Sequence, residues 1–426
     1  MLGLVLTAGG ARGAYQAGVL KRIGEIPAFR DAPSPFAIVT GASAGAINGT
    51  MIAGRSGDFH EATRDLARLW GQLEVGDVIR TDPFTLSVGA LRMLRDFALG
   101  GLLGTTLTRS LFDATPLRAF LSRALPLGGV ADAIRDGHLY ALAVLATSYH
   151  SGRCFTFVQG RPDHPIWIKA RRVVLPVELT VDHVCASAAI PIVFPPVALR
   201  TGAADLFFGD GALRLTTPFS PAIRLGARRL VAIGIRSQRA AETLSQEELG
   251  DPDDPNTRGP HIACPPLAQV CGVFLNAIFL DHLDSDLDHL RRMNELIRAY
   301  ASAAAHPVAP GEPAISEPMR IVDALVVAPS EDLAMVAQRF AHRMPRLVRH
   351  LLDGLGTPDA QSADMMSYLL FDSSYTRALI QIGYRDACER IDEIEAFLRR
   401  SERERRDASP RPERVAEADA PQRALA

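Results

Sequence analysis

Three short clusters in this chain hold residues that could do chemistry together. Gly41-Ala42-Ser43-Ala44-Gly45 follows the apolar run Phe36–Thr40 and precedes a helix-forming stretch from Ala46 to Gly54. Strand, tight turn and helix in that order make a nucleophile elbow, because small residues on both sides let the chain turn sharply and leave the Ser43 hydroxyl exposed. A serine hydroxyl is a poor nucleophile by itself, so it needs a base and donors for the oxyanion it creates. Donors are offered by Gly9-Gly10-Ala11-Arg12-Gly13, a second strand-to-helix turn only thirty residues upstream. Its backbone N–H groups would point to one spot, and the helix behind them favours negative charge there. Arg12 adds a fixed positive charge that suits anchoring the loop or meeting a phosphate. The base is offered by Asp210 in Gly209-Asp210-Gly211-Ala212, at a strand end between glycines, provided that burial beside the serine raises its basicity.

Each cluster has a rival reading. Ala8-x-Gly10-x-x-Gly13 nearly matches a dinucleotide fingerprint, but its first glycine is Ala8. The second strand ends in Thr40-Gly41-Ala42-Ser43, not in the acidic residue that would hold a ribose. A tight turn with no ligand would leave the neighbouring elbow unexplained. Taken alone, Asp210 would be an Asp-Gly turn; the combination argues for the base. A Ser-Asp-His triad stands as an alternative, since His261, His282, His289, His306, His342 and His350 follow Asp210 in the chain. Most of them fall in predicted helices, where a packed or solvated histidine is expected. The run Asp281, His282, Asp284, Asp286, Asp288, His289 could suggest a metal, yet acids alternating along a helix spread over several faces. A solvated face and no metal is the expectation.

The bulk properties set the frame for these residues. A chain of 426 residues can bury a large core. Its 46 basic and 48 acidic residues leave a net charge of −2, which indicates neither a nucleic-acid binder nor an acidic solvating protein. The cysteines (Cys154, Cys185, Cys264, Cys271, Cys388) are odd in number and scattered, which argues for reduced thiols and against a disulfide framework or zinc. Met1–Leu6 has no basic region before it and runs straight into the glycine turn, so it does not read as a signal peptide. No apolar run reaches transmembrane length. The expectation is a cytoplasmic protein.

Elements must bring the clusters together. The first sixty residues read strand, helix, strand, helix, the start of a parallel sheet covered by helices. Phe84–Phe112 is apolar and interrupted by glycine joints. It reads first as a packed excursion, while its joints also suit a lid or a surface that touches lipid. Strands are predicted at His138–Ala146, Arg153–Val158, Ile166–Ala170, Leu206–Ala212, Arg229–Ile235 and Ile321–Ala328. Helices are predicted at Val184–Ile190, Pro218–Leu225, Pro266–Ala304, Glu331–Gly354 and Ala363–Arg400. Residues 237–262 read as a polar loop, and 401–426 as a disordered charged tail.

Taken together, Ala8-Gly9-Gly10-Ala11-Arg12-Gly13, Gly41-Ala42-Ser43-Ala44-Gly45 and Asp210-Gly211-Ala212 resemble the patatin-like phospholipase family, whose signature is G-G-G-x-R-G, G-x-S-x-G and D-G-G or D-G-A. Ala186-Ser187-Ala188-Ala189-Ile190-Pro191 through Pro196 is similar to the family's stretch before the Asp. The resemblance spans residues 1–235. It implies a Ser–Asp dyad without histidine, with Ser43 as nucleophile, Asp210 as base and Gly9, Gly10, Ala11, Arg12 and Gly13 as the oxyanion loop. The elbow glycines would be Gly41 and Gly45. It also implies a three-layer α/β/α fold with a central, mostly parallel sheet, fatty acyl ester or lipid substrates, contact with a membrane surface, and no cofactor. One hydrolase domain over 1–400 is expected, with a lid or insertion at 74–137 and a helical extension at 260–400. An acyltransferase using the same dyad and a non-catalytic lipid-binding protein are the alternatives. Ala8 departs from the family's usual glycine.

Overall fold

Strands β1 (Leu2–Leu6), β2 (Ile38–Ala42) and β3 (Ala141–Ser148) are buried along their whole length. Strands covered on both faces read as continuous apolar runs instead of alternating ones, which is the pattern their sequences show. The computed structural model describes residues 1–80, 110, 112–169, 171–202, 204–237, 282–303, 320–345 and 360–408. Most of Phe84–Phe112, nearly all of the 237–262 loop, the start of the Pro266–Ala304 helix, the end of the Glu331–Gly354 helix and residues 409–426 lie outside the described residues.

The remaining strands are β4 (Cys154–Gly160), β5 (Ile168–Lys169), β6 (Arg172–Pro176), β7 (Val197–Thr201), β8 (Ala204–Asp210), β9 (Arg229–Ile233) and β10 (Asp323–Val327). The first helices are α1 (Gly13–Gly24), α2 (Ala44–Gly54), α3 (Phe59–Gly71), α4 (Val75–Val78), α5 (Thr115–Ala124) and α6 (Leu127–Arg135). They are followed by α7 (Val181–Ser187), α8 (Ser220–Arg224), α9 (Leu283–Ala303) and α10 (Leu333–Arg339). The last three are α11 (Ala360–Leu369), α12 (Ser373–Glu389) and α13 (Ile391–Ala408).

The ten strands among the described residues form one sheet in the order β10-β9-β1-β2-β3-β4-β6-β5, with β8 also on β3 and β7 on β8. From β10 to β3 every pairing is parallel. Side chains alternate between the two faces. Leu2, Leu4 and Leu6 pack with α1, α2 and α3, while Val5, Ile38 and Ala143 pack with Phe219, Ala222 and the α9 residues Leu283 and Leu287. Helices therefore cover both faces, and the expected three-layer α/β/α architecture is what the chain adopts.

The Ala363–Arg400 stretch is three helices, not one. Asp372 breaks it: its Oδ1 accepts the N–H groups of Ser374 and Tyr375 and starts α12 as an N-cap. Of these, α12 is laid on α1. Tyr15 of α1 donates its hydroxyl to Asp386 of α12 at 3.1 Å, and Tyr375, Leu379 and Leu398 are fully buried. The final helix continues past Arg400 to Ala408.

Candidate active site

The register on β3 decides where the elbow and the acidic turn sit. One edge of β3 is covered by β4 from Ala141 to Thr147. The other edge is shared: β2 runs parallel along Ala141–Leu145, and β8 runs antiparallel along Ala146–Ser148. The C-terminal ends of β2 and β8 thus meet head-on. Ala42 is opposite Leu145 and Asp210 is opposite Ala146, neighbouring positions about 3.4 Å apart along a strand. Ser43 is the residue after Ala42. The chain leaves the sheet there in both directions, into α2 and into the short helical turn Gly211–Arg214.

Ser43 has φ 54° and ψ −125°, a left-handed backbone that a residue with a Cβ rarely adopts. The turn is tight because Gly45 lies against β1: a Cβ on Gly45 would stand 2.2 Å from the Leu6 carbonyl oxygen. We expect Gly45→Ala to lower folding stability by roughly 2 kcal/mol or more, since backbone offers no flexible atom to yield; thermal or denaturant unfolding measures it.

The Asp210 carboxyl is fully buried. Its Oδ1 accepts the Ala212 N–H at 2.8 Å, and its Oδ2 is buried without a formed hydrogen bond. Burial pushes its pKa from 3.8 up to about 6, against the Ser43 hydroxyl and the Ala212 amide, which favour the charged form. Among the described residues, the side chain that tempers the burial is that of the elbow serine.

The glycine loop lies beside both. Gly10 takes φ +52°, and a Cβ there would meet the Tyr368 carbonyl oxygen at 2.3 Å, so glycine is required twice over. Arg12 and Gly13 turn their amides inward, onto Gly9 O and onto the carbonyls of Gly10 and Ala11. The Arg12 side chain is buried, donates to Ser367 Oγ at 2.6 Å and lies 4.3 Å over the Tyr368 ring. Of its two readings, anchor and phosphate contact, the structure shows the anchor. Ala8 has no positive φ and packs its methyl beside Ala42, Leu145 and Cys154, so the departure from glycine strains nothing.

Loop and elbow are locked together by a chain of buried amides. Trp70 Nε1 donates to Asn48 Oδ1 at 2.7 Å; Asn48 Nδ2 donates to Gly13 O and Gln16 Oε1 at 3.0 and 2.9 Å. Gln16 Nε2 closes the chain on the carbonyls of Thr7 and Ile233, both at 3.0 Å. Three helices and two strand ends are thereby fixed around Ser43. Nothing in the local sequence marks these three residues.

Ser43 and Gly10 open onto a narrow cavity of about 30 Å³ with an otherwise apolar wall. Ile47, Leu69, Trp70, Leu73 and Val78 form one side; Leu117, Phe120, Leu121, Ile190 and Phe194 form the other, with Phe371 from the C-terminal part. A hydrocarbon chain suits such a wall. Ser43 and Ile192, which stands between Ile190 and Phe194, are the non-glycine residues with positive φ among the described ones. Backbone strain of this kind gathers at ligand sites.

The rival residues sit elsewhere. Among the described residues no histidine lines this cavity. His289 and Asp286 line a different one with Arg172, and Asp286 Oδ2 accepts the Phe219 N–H at 2.8 Å. His261, His306 and His350 lie outside the described residues. No group of metal-ligating side chains occurs among the described residues, and none of their helices is long and apolar enough to cross a membrane. Cys154 and Cys185 are buried, and burial pushes their thiols up to about 11 and about 12, so neither offers a reactive thiolate.

The sequence model of the patatin-like phospholipase family matches residues 4–223, just over half of the chain, and takes in the glycine loop, the elbow and Asp210. The chain belongs to the patatin-like phospholipase family. No curated protein matches this patatin-like chain. Among solved structures it is similar to VipD from Legionella pneumophila (12% identity, 92% of this chain and 66% of that one, TM-score 0.30). It is also similar to human GIVD cytosolic phospholipase A2 in complex with methyl gamma-linolenyl fluorophosphonate (14% identity, 95% and 60% covered, TM-score 0.42). The patatin-like chain therefore spans between 60% and 66% of the length of those two proteins.

Proposed function

We propose that this protein is a serine hydrolase of fatty acyl esters in which Ser43 is the nucleophile and Asp210 the general base. What carries the reading is the pairing of a strained, cavity-lining serine with a buried carboxyl whose pKa stands near 6. A base poised close to working pH transfers protons best in both directions.

The steps balance with this chain's own groups. As Ser43 Oγ attacks the ester carbonyl carbon, its proton passes to Asp210 and the negative charge moves to the carbonyl oxygen. That oxygen faces Gly10 and its neighbours in the loop, whose amides and the start of α2 favour an anion. Collapse expels the alcohol, which takes the proton from Asp210 and leaves Ser43 acylated. Water then gives a proton to Asp210 and attacks the acyl carbon, and fatty acid departs as the proton returns to Ser43. The Ser43 hydroxyl already favours the charged form of Asp210, and catalytic bonds of this kind commonly tighten when substrate is bound. The cavity wall would hold the acyl chain, and α4 and α5, which flank residues 81–109, shape its mouth.

A fluorophosphonate probe tests the reading: the wild-type protein is expected to be labelled on Ser43 and to release free fatty acid from phospholipid or acylglycerol vesicles. No labelling, with no fatty acid released, would leave a lipid-binding protein. Acyl transfer to an added alcohol in preference to water would make it an acyltransferase with the same dyad.

A further inference from the structure

Ser187 ends α7 in a place where a helical serine ordinarily returns its hydroxyl to a carbonyl one turn back. Here it does not. Its Oγ donates to the Leu145 carbonyl oxygen of β3 and accepts the N–H of Ser43 at 2.9 Å, and the side chain is fully buried. Leu145 is the residue opposite Ala42, at the seam where β2 and β8 meet. Two residues further on, the Ala189 carbonyl accepts the Asp210 N–H at 2.9 Å. One short segment therefore grips the backbone of both dyad residues. Ser187 does so with a side chain, so substitution can remove its grip.

The carbonyl that Ser187 uses is reachable because Gly211 has no side chain: a Cβ there would stand 2.3 Å from the Leu145 oxygen. The glycine after Asp210 and the serine in α7 thus serve the same few atoms. The Ser43 amide, being held by Ser187, cannot also face an oxyanion, which leaves that task to the start of the glycine loop around Gly10 and to the start of α2.

We infer that Ser187 is a positioning residue for acyl transfer: its hydroxyl ties the Ser43 amide to β3 and so sets the height of the nucleophile against Asp210. This rests on the dyad reading above. Without the tie, the Ser43 amide and the Leu145 carbonyl compete for other partners and the elbow shifts. A displacement of about 1 Å at a reacting group costs on the order of a hundredfold in rate.

The test reads turnover per active site, with sites counted by fluorophosphonate titration, in wild type, Ser187→Ala and a stability control. Asn294→Ala is the control: it removes two buried hydrogen bonds to Val322 on the other face of the sheet. Ser187→Ala is expected to lose about 10- to 100-fold in kcat per titrated site and a similar factor in labelling rate, with KM unchanged within about threefold. Asn294→Ala is expected to lose stability but keep wild-type turnover per site. Wild-type turnover per titrated site in Ser187→Ala would overturn the inference, reducing the serine to packing. If Ser187→Ala does not fold, Ser187→Cys takes its place; the thiol keeps the volume but bonds weakly, and wild-type turnover per site in that variant overturns the inference equally. Failure of the wild type to label overturns the hydrolase reading itself, an outcome separate from these.

Discussion

Ser43→Ala is expected to abolish fluorophosphonate labelling and to lower ester hydrolysis by at least about 10⁴-fold, because among the described residues no other nucleophile lines the cavity wall. Labelling of a second residue together with preserved hydrolysis would sink the assignment. A companion variant separates chemistry from architecture. At φ 54° and ψ −125° the Ser43 backbone is strained for any residue with a Cβ, a cost of about 1–3 kcal/mol. Ser43→Gly should therefore be as inactive as Ser43→Ala yet unfold at a higher temperature than it. Alanine keeps the strain and glycine relieves it. A residue kept strained where glycine would be more stable is one whose side chain is needed at that spot.

Much of this site could be read before any coordinates, and the reason is local. An elbow has to be small on both sides, and a loop that presents amides has to be rich in glycine, so both write themselves into a few consecutive residues. The alternation of strand and helix over the first sixty residues is legible for the same reason. What could not be read is register. The Ser43 and Asp210 segments meet because β8 takes over the edge of β3 at the residue after the one where β2 stops, and nothing in Ala204–Asp210 states which strand it will join. The partner of Arg12 was equally hidden, since Ser367 lies 355 residues away. Ser187 was visible as part of the stretch resembling the family, but its task depends on a carbonyl in β3 and an amide in the elbow. The break at Asp372 was readable in principle, since an aspartate followed by Ser373-Ser374 is an N-cap signal.

Asp210→Asn is the last expected result and the one that joins function to stability. Asparagine keeps the shape and can still accept the Ala212 N–H, but it cannot take the proton from Ser43, so kcat should fall by about 10³- to 10⁴-fold. In the wild type the base acts only when ionised. With its pKa at about 6, kcat/KM should be flat above that value and fall tenfold per pH unit below it. The stability of the protein should run the other way. A carboxyl whose pKa is 3.8 when unfolded and about 6 when folded holds its proton more tightly in the folded state. Its contribution is most favourable below pH 4 and is lost as pH rises through 6, so at pH 8 the buried charge costs roughly 3 kcal/mol. Removing that charge should make Asp210→Asn more stable than wild type at pH 8, with the gap closing towards pH 4. Denaturant unfolding at the two pH values reads this directly. A variant that is inactive and also less stable at pH 8 would mean that the carboxylate is held by favourable contacts and is not an isolated buried base; near-normal turnover would assign the proton transfer to a different group.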